Sequence, residues 1–176
     1  MFITITAGHS NTDPGAVNGS DREADIAQDM RNIVASILRT DYGLEVKTDG
    51  EGKGNMPLRE AVKLIKGSRL AVEFHTNAAA KKEATGIEAL SIPKNKAACQ
   101  RICAAVAAAS GWKLRGEDGY KPDNAGPHSR LAYAQAGGII LEPFFISNDA
   151  DLAQWKQTKW SICRAVAEAI AAEVAA

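Results

Sequence analysis

Short β-branched runs alternate with helical stripes from one end of the chain to the other. Residues 2–7 (FITITA) end at Gly8 and read as a first strand. A polar, turn-rich stretch follows over 8–19, with Asp13-Pro14-Gly15 inside it. Ser20 is a candidate N-cap, and Glu23 lies three residues on, as in a capping box. Ile26, Met30, Ile33, Val34, Ile37 and Leu38 fall on one face at a 3.6-residue period, so a helix is predicted there, ended by Gly43. Residues 44–48 read as a second strand and 50–55 as a glycine-rich loop. Pro57 suits the first turn of a helix running to about Lys66. Third and fourth strands are predicted over 69–74 and 86–92, then an alanine-rich helix over 93–110 stopped by Gly111. Residues 112–127, with Gly116, Gly119, Pro122, Gly126 and Pro127, read as irregular. A short helix over 129–135, a fifth strand over 138–141 and a terminal helix over 148–175 complete the pattern. Strands alternating with helices predict an α/β fold, a mostly parallel sheet with helices on both faces.

Four residues stand out against this pattern. His9 follows the first strand, Glu23 starts the first helix, His75 ends the third strand and Glu142 ends the fifth. In a parallel sheet these positions share one rim, the carboxyl edge, where open α/β sheets bind ligands. Glu23 also lies three residues before Ile26, on the core-facing stripe, where a carboxylate is costly unless paired or metal-bound. Two imidazoles and one carboxylate make a common set for a catalytic zinc ion (Zn2+) with a fourth position open to water. Such a site needs a nearby acid to pass a proton to the leaving group, and Glu142 is placed for that role. Each residue has a plainer reading: a structural loop histidine, half of a capping box, a polar strand end, a turn acid. Their joint placement on one rim favours the functional one.

Length and composition narrow the class. The 176 residues suit one domain, 1–176, with a substantial core and no room for a separate second domain. Lys plus Arg equals 21 and Asp plus Glu equals 21, with no basic stripe, so nucleic acid is not an expected partner. Cys99, Cys103 and Cys163 read as buried small apolar residues, and their use fits a reducing compartment during folding. The N-terminus lacks the basic and apolar regions of a secretion signal. No segment has the roughly 20 apolar residues of a membrane helix, so membrane insertion is not expected.

At these residues the chain resembles the zinc-dependent N-acetylmuramoyl-L-alanine amidases of the type-3 class, found among bacterial autolysins and phage endolysins. The segment from Thr6 to Ala16 is similar to that family's opening D-x-G-H-G-x-x-D-P-G-A, and Glu23 follows at the next helix. Glu73-Phe74-His75-Thr76-Asn77-Ala78 resembles its S-x-H-x-N-A element, and the stretch from Glu142 to Asn148 its E-x-x-F-x-S-N element. The likeness spans nearly the whole chain. It implies a twisted sheet of about six strands, one zinc ion on His9, Glu23 and His75, and Glu142 as catalytic acid/base. The implied reaction cuts peptidoglycan between N-acetylmuramic acid and the first L-alanine of the stem peptide. Thr6-Ala7, Ser10 and Glu73 depart from the family pattern. Glu73 points to the same side of its strand as His75, and either accepts a hydrogen bond from a ligand imidazole or faces elsewhere. His128 and Asn77 are further candidates for substrate contact, and Lys113, Arg115 and Lys121 for contact with stem-peptide carboxylates.

The expected setting is a monomeric phage endolysin, made in the cytoplasm and acting on the host wall once another protein opens the membrane; a bacterial or prophage-borne cytoplasmic copy would read the same. Two rival classes remain at this point: a zinc peptidase or aminoacylase on a related scaffold, and a non-catalytic wall-binding module.

Overall fold

The computed structural model describes residues 2–125 and 131–175. Its strands are β1 (Phe2–Ala7), β2 (Val17–Asn18), β3 (Asp21–Arg22), β4 (Glu45–Thr48), β5 (Ser68–Phe74), β6 (Glu88–Ser91), β7 (Tyr120–Pro122) and β8 (Ile139–Glu142). Its helices are α1 (Glu23–Thr40), α2 (Leu58–Leu64), α3 (Lys96–Ser110), α4 (Ala132–Gln135) and α5 (Asp149–Ala175). Six strands form one sheet in the order β4-β1-β5-β8-β6-β7, and β2 and β3 form a separate small hairpin. The expected α/β architecture with a mostly parallel, six-stranded sheet is what the chain adopts.

Strand alternation decides which helices cover which face. Ile3, Ile5 and Ala7 of β1 bury on the same side as Val72 and Phe74 of β5 and Ile139 and Leu141 of β8. There they meet the apolar stripes of α1, α3 and α5, whose residues Ile26, Met30, Ile33, Val34, Ile37 and Leu38 are all buried as the periodicity predicts. The opposite face is smaller: Ala71, Leu90 and Ile140 pack under Ala61 and Ile65, and under Tyr133 and Ala134 of α4. Thr4 and Thr6 of β1 are buried on that side, Thr4 bonding the Leu64 carbonyl at 2.9 Å. The three cysteines are free and buried, and burial raises their thiols away from reactivity.

Three local expectations change. Ser20 is not the cap of α1: it sits in the turn between β2 and β3, and the helix begins at Glu23 behind Arg22, with no side-chain cap. Loop carbonyls take over instead, Ala16 O accepting from Glu23 N at 2.9 Å and Pro14 O from Ala24 N at 3.1 Å. This frees the Glu23 carboxylate. Residues 112–127 are not wholly irregular, because β7 lies parallel to β6 at the sheet edge, aided by a bridge between Ile87 and Leu114. The sheet is also mixed: β6 runs antiparallel to β8, with Glu88 opposite Glu142. The stretch between β5 and β6 carries no helix to return the chain in the parallel sense.

Candidate metal centre

The carboxyl edge of β1, β5 and β8 opens into a cleft of about 580 Å³ lined by His9, Asp13, Glu23, Glu73, His75, Asn77 and Glu142, among others. His9 leaves β1 in a left-handed conformation, φ 66°, unusual for a residue with a side chain. That turn is held by reciprocal backbone bonds between Ser10 and Asp13, and by Asn55, whose amide donates to the carbonyls of Ala7, Gly8 and His9 at 3.2–3.3 Å. The glycines on either side make room for the imidazoles. A Cβ on Gly8 would stand 2.2 Å from the His75 ring, and one on Gly15 would stand 2.5 Å from His9 Nε2.

Glu23 is the hub. Its Oε1 lies 3.0 Å from His9 Nε2 and 3.1 Å from His75 Nδ1, and accepts from Thr76 N at 3.0 Å. Its Oε2 accepts from Ala16 N at 3.0 Å. One donor atom from each of His9, Glu23 and His75 falls within 4.8 Å of the others, a grouping able to hold a metal ion. Behind the ring nitrogens that face Glu23, each imidazole meets a carboxylate. Asp13 Oδ2 is 3.1 Å from His9 Nδ1, and Glu73 Oε1 is 3.2 Å from His75 Nε2. Carboxylates in that position orient ligand histidines and raise their basicity. Glu73 thus faces His75 rather than elsewhere.

The charges of the cluster favour one another against the cost of burial. Burial disfavours a charged His75, yet Glu23 and Glu73 outweigh it and raise its pKa to about 10. The same balance, burial against Glu23, raises His9. Burial pushes Glu23 up, but the two histidines hold it well below the usual carboxylate range. Several carboxylates around two imidazoles form a pocket for positive charge, and a divalent cation of the kind bound by mixed N and O donors fits them.

Glu142 is half-buried, and burial pushes its carboxyl up to about 8 against the pull of His75, with the Glu88 and Glu23 charges and a hydrogen bond to Glu88 adding to the rise. Asn77 Nδ2 donates to Glu142 Oε2 at 2.7 Å. The backbones of the two segments are clasped as well: Asn77 N bonds Phe144 O at 2.9 Å, and Ile146 N bonds Asn77 O at 2.8 Å.

A family model described as N-acetylmuramoyl-L-alanine amidase matches residues 3–172. The chain belongs to the N-acetylmuramoyl-L-alanine amidase family. It is 78% identical, at a TM-score of 0.93, to a Neisseria meningitidis protein assigned as an N-acetylmuramoyl-L-alanine amidase, over 99% of this chain and 96% of that one. The fold also matches the catalytic domain of CwlV, an N-acetylmuramoyl-L-alanine amidase from Bacillus (Paenibacillus) polymyxa, at 20% identity and TM-score 0.85 over 99% of both chains. An endolysin catalytic domain targeting Clostridia difficile matches at 23% identity and TM-score 0.75, over 97% of this chain and 96% of that one. No functionally curated protein matches the chain in sequence.

Among the residues expected from this amidase's sequence, His9, Glu23, His75, Glu73, Asn77 and Glu142 meet in one cleft. His128 lies outside the described residues. Arg115 and Lys121 do not face the cleft but pair with Glu88, at 2.5 and 2.8 Å. Lys113 is exposed on the same loop. Sequence reasoning missed the support behind the His9 loop. Arg31 is fully buried and bonds Asp49 at 3.2 Å, Gly54 O at 2.9 Å, Gly52 O at 2.9 Å and Asn55 at 3.2 Å. The available signal was that Arg31 falls on the buried stripe of α1, four residues after Ala27 and three before Val34. Glu88 was missed too, for reasons of pairing that no local pattern carries.

Proposed function

We propose that the chain is a zinc-dependent peptidoglycan amidase that cleaves the amide between N-acetylmuramic acid and the L-alanine of the stem peptide. The observation that carries this reading is the convergence of His9 Nε2, Glu23 Oε1 and His75 Nδ1 on one point of the cleft that Glu142 also lines. His9, Glu23 and His75 would hold the ion, with Asp13 and Glu73 orienting the imidazoles. When bound, zinc supplies a Lewis acid for the scissile carbonyl and acidifies water to a pKa of about 7. Glu142 accepts the proton of the attacking water and delivers it to the departing alanine nitrogen. A carboxyl with a pKa pushed to about 8 exchanges a proton readily in both directions near neutral pH. Asn77 holds Glu142 in place for that transfer.

The test is digestion of sacculi by protein stripped with a chelator and then reloaded with zinc, with the new ends read by mass spectrometry. Free L-alanine amino termini on intact glycan, lost on stripping and restored by zinc, support the proposal. Turnover of a plain dipeptide would point to a peptidase, and pelleting with sacculi without release would point to a binding module. The setting belongs to the proposal as well: a monomer that reaches the wall after membrane opening, as a phage lysis enzyme does. No helix among the described residues is long and apolar enough to cross a membrane. Expression in the cytoplasm should leave cells intact until a pore-forming protein is co-expressed, and then lyse them.

A further inference from the structure

Glu88 is buried, absent from the cleft lining, and directly opposite Glu142 in the antiparallel ladder between β6 and β8. Opposed residues in such a ladder have their Cβ atoms about 4.5–5.5 Å apart on the same face of the sheet, close enough for two carboxyls to share a hydrogen bond. The register therefore sets the Glu88 carboxyl where it can share a hydrogen bond with Glu142. Two buried carboxylates side by side repel strongly unless a proton or a cation intervenes. Here both are available. Arg115 Nε and Lys121 Nζ grip the same oxygen, Glu88 Oε2, at 2.5 and 2.8 Å.

Arg115 is itself fixed. Its Nη1 donates to Thr85 O at 3.3 Å, its guanidinium sits 4.8 Å from the centre of the Phe145 ring, and Gly86 leaves the space its stem occupies. Lys121 comes from β7, the edge strand beside β6. So the charge on Glu88 is compensated from behind, and its remaining hydrogen-bonding capacity faces Glu142. Asn77 holds Glu142 from the other side.

We propose that Glu88, anchored by Arg115 and Lys121, is a positioning residue that fixes the orientation of the Glu142 carboxyl in the cleft. The idea rests on the proposed role of Glu142 and extends it: the acid/base is aimed by a three-residue clamp, with Asn77 opposite. Glu88 touches neither the cleft nor the metal-binding cluster, so it acts only through Glu142. The charged or titratable groups around the pair are Arg115, Lys121 and the neutral Cys103 thiol on the Glu88 side, and His75 and Glu23 on the Glu142 side.

The experiment compares Glu88→Ala, Glu88→Gln and Arg115→Ala with the wild type by crystal structure, zinc stoichiometry and the pH profile of kcat. Glu88→Ala should leave zinc stoichiometry and KM unchanged, turn the Glu142 side chain away from its wild-type position and lower kcat by on the order of 100-fold, the scale of a misplacement of about 1 Å. Glu88→Gln still reaches Glu142 and should recover most of kcat. Loss of the neighbouring negative charge should move the acidic limb of its profile, where Glu142 must be ionised to act as base, to lower pH. Arg115→Ala should give a smaller loss of kcat in the same direction. An unmoved Glu142 in the Glu88→Ala structure overturns the proposal, and so does a wild-type kcat and pH profile in that variant. Should the wild type prove inactive on sacculi, the amidase reading fails while the crystal structures still judge the clamp. A poorly folded Glu88→Ala shifts the decision to Glu88→Gln, whose unchanged pH profile would overturn it.

Discussion

The tightest constraint at the candidate metal centre is a hydrogen atom, the missing side chain of Gly8. Its backbone does not adopt a left-handed conformation, so alanine is acceptable there on conformational grounds alone. Space is the obstacle. An added Cβ would lie 2.2 Å from both His75 Cε1 and Nε2 and 2.6 Å from Nδ1. Non-bonded carbons settle at about 3.5–4.0 Å, so the imidazole must retreat by more than roughly 1 Å. Metal–ligand distances tolerate about 0.2 Å, so Gly8→Ala should remove His75 from the proposed ligand set. Loss of an orienting neighbour alone costs roughly 10–100-fold in metal affinity, and displacing the ligand itself should exceed the upper figure. The assay is zinc competition against a chromophoric chelator on stripped protein, with thermal melts alongside. Gly19→Ala is the control: it sits at φ 62° with nothing within 4 Å of an added Cβ. It should cost about 1–2 kcal/mol of stability from the left-handed backbone and leave zinc affinity untouched. Wild-type zinc affinity in Gly8→Ala would refute the claim that bare backbone admits the His75 ring.

Glu142→Gln should keep zinc, lose most turnover, and melt a few degrees higher than wild type at pH 8, since it removes a buried carboxyl whose ionisation near pH 8 the fold resists; a lower melting temperature with full activity would reverse both assignments. In the metal-free protein, His75 is raised from 6.5 to about 10, so its contribution is complete below pH 6.5 and fades as pH climbs through 10. Glu142, raised from 4.5 to about 8, loses stability in the same direction, whereas the depressed Glu23 loses it only as pH falls below 4.5. Melts of stripped protein should therefore decline steadily from pH 6.5 to 10, and a flat profile would contradict the pairing. Zinc requires neutral imidazole, so uptake at pH 7 should release roughly one to two protons per ion, read from calorimetry in buffers of different ionisation enthalpy; no buffer dependence would count against His75 as a ligand. Arg31→Ala strands the Asp49 carboxylate at 0 % exposure and frees Asn55. Urea denaturation should show a loss of about 3–5 kcal/mol, and a loss under 1 kcal/mol would mean that water replaces the guanidinium.

The alternation in 2–7 and the stripe of α1 were legible because they are local: side-chain direction repeats every two residues in a strand and every 3.6 in a helix, whatever lies nearby. His9, His75 and Glu142 could be placed on one rim for a related reason, since each ends a strand and parallel strands end at one edge. Ser20 misled because a capping spacing says nothing about competing partners; the carbonyls of Pro14 and Ala16 arrive from a loop and satisfy the helix start. Glu73 was legible as a residue on the His75 side of its strand, but the choice between meeting the ring and facing elsewhere depended on a rotamer that only the packed cleft sets. Arg115 and Lys121 looked like substrate cations until the fold set β7 beside β6 and gave them Glu88. The five longer strands, the helical faces and the chemistry at the strand ends were thus determined by the sequence itself, because each follows from periodicity along the chain, whereas the short β2, β3 and β7 of two or three residues carry no such period. The antiparallel turn of β6, the pairing of Glu88 with Glu142, and the Arg31 network under the His9 loop were decided only in the tertiary structure. They join residues 18 to 54 positions apart, and such contacts depend on which strands become neighbours and which buried charges must find partners there.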